Sequence, residues 1–128
     1  MVNAADAAGV SPRMDDSFAM LLALSMAAQS PHEAAALVSL PTIHTYLRAI
    51  RWKRGWGSER TSLWGAPTIE GAEDFSVMVP KSEDRPDYAR RVVEAARDIA
   101  GRESTAITHV LAAWLFAQWQ TGTFRVAR

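Results

Sequence analysis

The chain has 128 residues, of which 48% are hydrophobic and 22% charged, and its 14 basic and 14 acidic side chains cancel. These values are typical of one soluble domain with a hydrophobic core, and they exclude a disordered polyelectrolyte and a collagen-like chain. Because the chain has no cysteine, disulfides, thiolate metal sites and a cysteine nucleophile are excluded as well. A neutral protein does not coat nucleic acid through bulk charge, so such a partner must meet a local patch.

Basic residues concentrate in the middle of the chain. Residues 1–43 hold one basic and four acidic side chains, whereas residues 44–60 hold five basic side chains and one acidic one. The five are Arg48, Arg51, Lys53, Arg54 and Arg60. The zero net charge therefore conceals one basic segment, which is the first candidate for contact with a polyanion.

The first predicted helix covers residues 17–29. Its apolar residues recur at the spacing i, i+3, i+4, i+7, i+8, which predicts a buried face of Phe18, Leu21, Leu22, Ser25 and Met26. The apolar run is too short to span a bilayer, and acidic residues flank it, which does not fit a signal peptide. We therefore expect a folded helix, a cytoplasmic protein and no membrane partner.

Two further helices are predicted from their start signals. Ser30, Pro31 and Glu33 have the order of a side-chain cap, a proline in the first turn and a returning glutamate, which predicts a short helix ending near Val38. Ser39 is the cap of a third helix over residues 40–54, with Ile43, Leu47 and Ile50 facing inward.

The rest of the chain predicts a small β hairpin and two more helices. Residues 62–64 and 75–79 have strand character and are joined through glycine and proline. An amphipathic helix follows from about residue 86 to Gly101, and Ser104 begins the last helix. The last helix is apolar around most of its circumference, so either it is the centre of the fold or a second copy covers it. We assign a homodimer interface to Ile107, Val110, Leu111, Trp114, Leu115 and Trp119.

The order of two helices, a tight turn, a third helix ending in basic residues and a glycine-flanked hairpin resembles the winged helix-turn-helix of bacterial transcription regulators. The similarity covers residues 17–66 and is strongest from Ser39 to Ile50, followed by the Trp52–Trp56 segment. It implies that the third helix reads duplex DNA and that the hairpin is the wing. One departure is that Leu37 stands where the turn of such domains usually has glycine.

Helical spacing specifies the candidate DNA-contacting side chains. If Ile43, Leu47 and Ile50 face inward, Thr42, Thr45 and Arg48 face outward and His44 lies on the flank. The remaining basic residues then lie at the helix end and wing base, where positive charge binds phosphates without reading sequence. These are Arg51, Lys53, Arg54 and Arg60.

Other readings have less support. Residues 74–120 are also similar in order to ribbon-helix-helix repressors and antitoxins, but the strand would offer Ser76 and Met78 where such proteins usually have polar donors. The segment from His32 lacks the second histidine of a zinc HExxH motif, and no phosphate-binding glycine loop is present. We therefore expect no catalytic residues, no metal and no cofactor.

The sequence as a whole predicts a mainly α protein with a small β hairpin. Its expected parts are a flexible N-terminus (1–14), a winged helix-turn-helix DNA-binding domain (15–80), a helical dimerisation region (81–121) and a tail (122–128). The expected function is sequence-specific binding of double-stranded DNA in transcriptional regulation, as a homodimeric repressor. The alternative is a protein–protein interaction module, such as an antitoxin or a small inhibitor.

Overall fold

A computed structural model describes residues 16–67 and 75–121, so the expected flexible N-terminus (1–14) and tail (122–128) lie outside the described residues. Within that part, five helices and three strands form a mainly α fold with a small antiparallel sheet, which confirms the predicted class. In chain order they are α1 (Asp16–Gln29), α2 (Pro31–Leu37), α3 (Leu40–Ala49), β1 (Lys53–Gly55), β2 (Thr61–Gly65), β3 (Ser76–Pro80), α4 (Tyr88–Glu103) and α5 (Ile107–Thr121).

The predicted starts of α2 and α3 are confirmed in atomic detail. The Ser30 side chain accepts a hydrogen bond from the Glu33 amide at 3.2 Å, and the Ser39 side chain accepts one from the Thr42 amide at 3.3 Å. Each serine satisfies an amide that the first helical turn leaves without an intrahelical partner.

Helix α3 is shorter than predicted, because it ends at Ala49 instead of continuing to residue 54. Arg51 adopts a left-handed backbone conformation with φ 71°, and the Trp52 amide donates to the Leu47 carbonyl at 2.9 Å. This is the hydrogen bond of a Schellman-type helix end, here with arginine where glycine is usual. Burial of Trp52, which is 4% exposed, accounts for the early end of the helix. Lys53 and Arg54 therefore lie on a strand.

The sheet has the order β1–β2–β3 with antiparallel neighbours. Strands β2 and β3 are the predicted hairpin, whereas β1 was missed. Arg54 pairs with Trp64, which pairs with Val77, and this side of β2 and β3 faces the core. Met78 lies on the opposite side and is exposed. Because α4 packs on β3, the hairpin is attached to the C-terminal helices.

The predicted buried face of α1 is wrong. Ala19, Ala23 and Ala27 are at most 3% exposed, whereas Phe18 and Leu21 are 58% and 66% exposed. Alanines spaced four apart form one stripe of the helix. We infer that their small side chains permit α5 to pack closely along α1, which a stripe of bulky residues would prevent.

Helix α5 is the centre of the fold, since it packs against α1, α2, α3 and α4. This corrects the assignment of four residues to a dimer interface, because a single chain leaves them at most 3% exposed: Val110, Leu111, Trp114 and Leu115. Ile107 and Trp119 are half-buried. One hydrophobic core takes residues from all five helices and from β2 and β3, so the regions 15–80 and 81–121 share it. Across the described ranges, each helix is too short or too polar to traverse a bilayer.

Candidate nucleic-acid interface

The turn between α2 and α3 contains Val38 and Ser39, both with extended backbone. No residue of this turn has a positive φ, so the turn does not need the glycine that Leu37 replaces. Instead, the buried side chain of Gln118 on α5 bridges the two sides of the turn by hydrogen bonds. Gln118 Oε1 accepts from the Ser39 amide at 2.6 Å, and Gln118 Nε2 donates to the Leu37 carbonyl at 3.0 Å.

Two further side chains from the C-terminal half hold the same turn. The Leu40 amide donates to Glu83 Oε2 at 2.7 Å, and the Tyr88 hydroxyl donates to the Val38 carbonyl. Polar backbone groups at the entrance to α3 are thus satisfied by residues more than 40 positions away in the chain. The position of α3 therefore depends on α4, α5 and the segment before α4.

Helix α3 exposes one continuous stripe. Pro41, Thr45, Arg48 and Ala49 are exposed, at the spacing i, i+4, i+7, i+8 that defines one side of a helix. On the opposite side, Ile43 and Leu47 are fully buried and the Tyr46 ring packs edge-on against Trp114 at 5.8 Å. The outward orientation expected for Thr45 and Arg48 is therefore observed.

Thr42 does not face outward as the helical spacing predicted. It is 9% exposed, and its hydroxyl is 2.8 Å from that of Ser39. Because Ser39 and Thr42 satisfy each other across the first turn of α3, the threonine belongs to the helix cap. This removes Thr42 from the side chains that can reach a base edge without unfolding the turn.

Trp64 of β2 supports the two remaining polar side chains of this region. The His44 ring is stacked on Trp64 with the centroids 5.4 Å apart, and the Arg48 guanidinium carbon lies 5.8 Å from the centroid of the same indole. Trp64 is 1% exposed and its Nε1 donates to Ser62 Oγ at 3.3 Å. A cation held against an aromatic ring loses less conformational freedom on binding, so Trp64 positions Arg48.

His44 is half-buried, and its Nε2 has no hydrogen-bond partner among the described residues. Burial lowers the pKa of the imidazole below its ordinary value, and the positive charges of Arg54 and Arg48 lower it further. His44 is therefore neutral at pH 7 and acts as a packing residue between α3 and the sheet.

This depressed pKa predicts a pH dependence of stability. As the pH falls through the ordinary histidine pKa of about 6.5, His44 is protonated in the unfolded chain but stays neutral in the folded one. The free energy of unfolding therefore decreases. Urea denaturation between neutral and mildly acid pH should show this loss, and His44→Gln should reduce its slope. An identical slope in the variant would show that His44 does not cause it.

Five basic side chains follow from the end of α3 to the end of the β1–β2 loop, where Arg60 lies beside Pro80 and Asp87. Arg48, Arg51, Lys53, Arg54 and Arg60 are all exposed, and none forms an ion pair with a carboxylate of residues 16–67 or 75–121. The ion pairs found in those ranges join Arg90 and Arg91 to Asp87 and Glu94 around α4. The basic residues follow one another along the end of α3, its cap, β1 and the β1–β2 loop. We call this set the basic surface.

The β1–β2 loop, residues 56–60, is built by a short hydrogen-bond network. The Ser58 amide donates to the Thr61 carbonyl at 2.8 Å, and the Ser58 hydroxyl accepts from the amides of Arg60 and Thr61, each at 3.2 Å. A Cβ at Gly57 would collide with the Thr61 carbonyl oxygen, so glycine is required there. The network leaves Trp56 89% exposed.

Comparison of the chain with protein-family models, with curated proteins and with solved structures finds no significant match. Among the described residues, histidine and carboxylate side chains form no group of three that could hold a metal ion. The function is therefore inferred from the geometry of α3 and from the basic surface.

Several of the residues that build this region were not identified as functional from the sequence. Gln118 could have been identified, because it interrupts the apolar stripe of α5 and a buried amide needs hydrogen-bond partners. The roles of Glu83 and Tyr88 could not be predicted, since their partners are backbone groups far away in the chain. Trp64 was predicted only as a strand residue.

Proposed function

We propose that the protein binds double-stranded DNA sequence-specifically and acts as a transcriptional regulator, as a repressor. The observation that carries this proposal is the exposed stripe of α3, which includes Arg48 and is followed along the chain by four more exposed basic side chains. None of the five forms an ion pair with a described carboxylate. A helix with one polar, exposed side fits the major groove, and basic residues at its end meet phosphates. The proposal does not require a homodimer, because α5 is covered within one chain.

Arg48 is the candidate base reader. It is exposed, lies on the same stripe as Thr45, and rests against Trp64. Arginine donates two parallel hydrogen bonds to guanine, which is the commonest specific contact in the major groove. Thr45, one turn earlier, can contact a neighbouring base. Arg51, Lys53, Arg54 and Arg60 then bind the phosphates on either side.

We further propose that α1, α2, α3 and the β2–β3 hairpin form a winged helix-turn-helix. The order of the elements and the tight turn before α3 support this assignment. In an independent domain, residues of that domain would satisfy the backbone groups of the α2–α3 turn. Here Gln118, Glu83 and Tyr88 from the C-terminal region bind those groups instead. In this proposal the C-terminal helices are part of the DNA-binding unit.

The proposal is tested by separating base reading from phosphate binding. A preferred sequence is first selected from a random duplex library. Arg48→Ala should then cost about 1–3 kcal/mol at the selected site and little on random duplex. Arg54→Ala should weaken both duplexes alike and reduce the dependence of log affinity on log salt by about 1.

Arg90→Ala is the matched control, since Arg90 is an exposed arginine on α4 that is paired with Asp87 and Glu94, unlike the arginines of the basic surface. It should bind both duplexes as the unmodified protein does. Equal losses for Arg48→Ala on selected and random DNA would remove Arg48 as the base reader. Failure of the protein to bind any duplex at low salt would contradict the function itself.

A second candidate, a protein-interaction module, is favoured by exposed apolar side chains. Leu21 on α1, Trp56 in the β1–β2 loop and Met78 on the outer face of the sheet are 66%, 89% and 56% exposed. Tryptophan and methionine are among the residue types enriched at protein interfaces. Retention of a protein partner that is insensitive to salt, without retention on heparin, would support this candidate over DNA binding.

A further inference from the structure

Trp56 has the most exposed of the large apolar side chains in the described part of the chain, at 89%. The other tryptophans with described side chains are buried or half-buried: Trp52, Trp64, Trp114 and Trp119. An indole offers a large, rigid aromatic face, and tryptophan is a residue type that dominates binding interfaces. Its position in a loop between two basic segments therefore needs a functional explanation.

The β1–β2 loop holds the backbone of Trp56 in a defined position at the end of these two strands. Gly55 is paired with Leu63 across the β1–β2 ladder, and the next residue but one, Gly57, packs directly against Thr61. Hydrogen bonds of Ser58 to Thr61 and Arg60 close the loop. A ring mounted on an ordered backbone binds with a smaller entropic cost than one on a flexible segment.

The charged residues near Trp56 in the chain are mostly basic. Lys53 and Arg54 precede it and Arg60 follows it, all exposed, and Glu59 is the acidic residue of residues 53–60. Its immediate neighbours in the chain are Gly55 and Gly57, which have no side chain to form an apolar pocket. A nucleobase needs one aromatic face to stack on and cations for its phosphate, and this segment has both.

We propose that Trp56 stacks on an unpaired nucleobase, so that the ligand of this protein is DNA with a single-stranded segment beside the duplex held by α3. The inference rests on the proposed DNA-binding function and deepens it. Stacking on an aromatic ring is independent of sequence, because every base has a π face, and the neighbouring cations follow the backbone of the single strand. Arg48 then reads paired DNA, and Trp56 holds the unpaired nucleotide.

The test compares one duplex in blunt form with the same duplex carrying an oligothymidine overhang of about 12 nucleotides, a length that lies within the site sizes of single-strand-binding domains. The unmodified protein should bind the overhang duplex more tightly. Trp56→Ala should lose about 5- to 150-fold on the overhang duplex, as expected for one stacked base, and keep its affinity for the blunt duplex. Trp56→Phe, which retains an aromatic face, should lose much less.

Met78→Ala is the matched control, because it removes an exposed apolar side chain from the outer face of the same sheet. It should bind both DNAs unchanged. Tryptophan fluorescence gives a second readout, since addition of the overhang DNA should quench the emission of the unmodified protein more strongly than that of Trp56→Phe.

The outcomes separate this inference from the function on which it rests. Equal affinities of Trp56→Ala and the unmodified protein for the overhang duplex would overturn the stacking role and leave duplex binding in place. Absence of binding to either DNA would overturn both. Loss of a protein partner by Trp56→Ala, with both DNA affinities unchanged, would assign the ring to protein recognition and overturn the inference.

Discussion

Replacing Trp114 by alanine should lower the free energy of unfolding by about 3–5 kcal/mol, the range for a fully buried aromatic residue. Trp114 is 0% exposed, and the Tyr46 ring packs on it edge-on. The truncation would leave a cavity between α5 and α3, where both helices contribute to the core. Urea denaturation followed by circular dichroism measures the change, and a loss below about 1 kcal/mol would contradict the burial of this side chain.

Trp114→Phe is the control for cavity formation, because it keeps an aromatic ring in the core and removes the indole N–H. The Nε1 of Trp114 has no hydrogen-bond partner among the described residues, so Trp114→Phe deletes a buried donor that is not satisfied there. Trp64→Phe, by contrast, deletes the donor that binds Ser62 Oγ and reduces the ring against which His44 and Arg48 pack. We therefore expect Trp64→Phe to destabilise the protein more than Trp114→Phe does.

Gln118→Leu should destabilise the protein by about 2–4 kcal/mol, although leucine is a good helix former and α5 is apolar. The substitution leaves the Ser39 amide and the Leu37 carbonyl without their partner inside the protein. An unsatisfied buried polar group costs about 1–3 kcal/mol; the Ser39 amide is buried, and the part-buried Leu37 carbonyl adds a cost at the lower end of that range. Denaturant unfolding gives the total, and amide hydrogen exchange at Ser39 reports the local loosening of the α2–α3 turn.

Gln29→Leu is the matched control, because Gln29 is an exposed glutamine whose hydrogen bond to Ser25 lies on the surface of α1. Its effect should remain within about 0.5 kcal/mol. If Gln118→Leu were equally neutral, the turn would not depend on α5. If the loss occurs, the same variant should also weaken duplex binding, because the turn sets the position of Arg48.

Signals that act within a few residues were sufficient for most of the secondary structure. Ser30 and Ser39 cap α2 and α3 as expected, since a cap is a contact between residues three positions apart. The alternation in 62–64 and 75–79 likewise indicated two strands that do pair. The end of α3 was missed because the tertiary burial of Trp52 ends the helix there, through Arg51 in a left-handed conformation.

The mainly α class, the caps, the hairpin and the basic segment that ends at Arg60 could be predicted from the chain, because each depends on local spacing or on composition. The buried face of α1, the role of Thr42 in a cap and the covering of α5 by its own chain became clear from the packing of the helices. These outcomes depend on which distant element packs against which side. Periodicity predicts an apolar stripe but not the element that packs against it. In α1 the alanines are buried and Phe18 and Leu21 are exposed, because α5 packs closely against the alanine side.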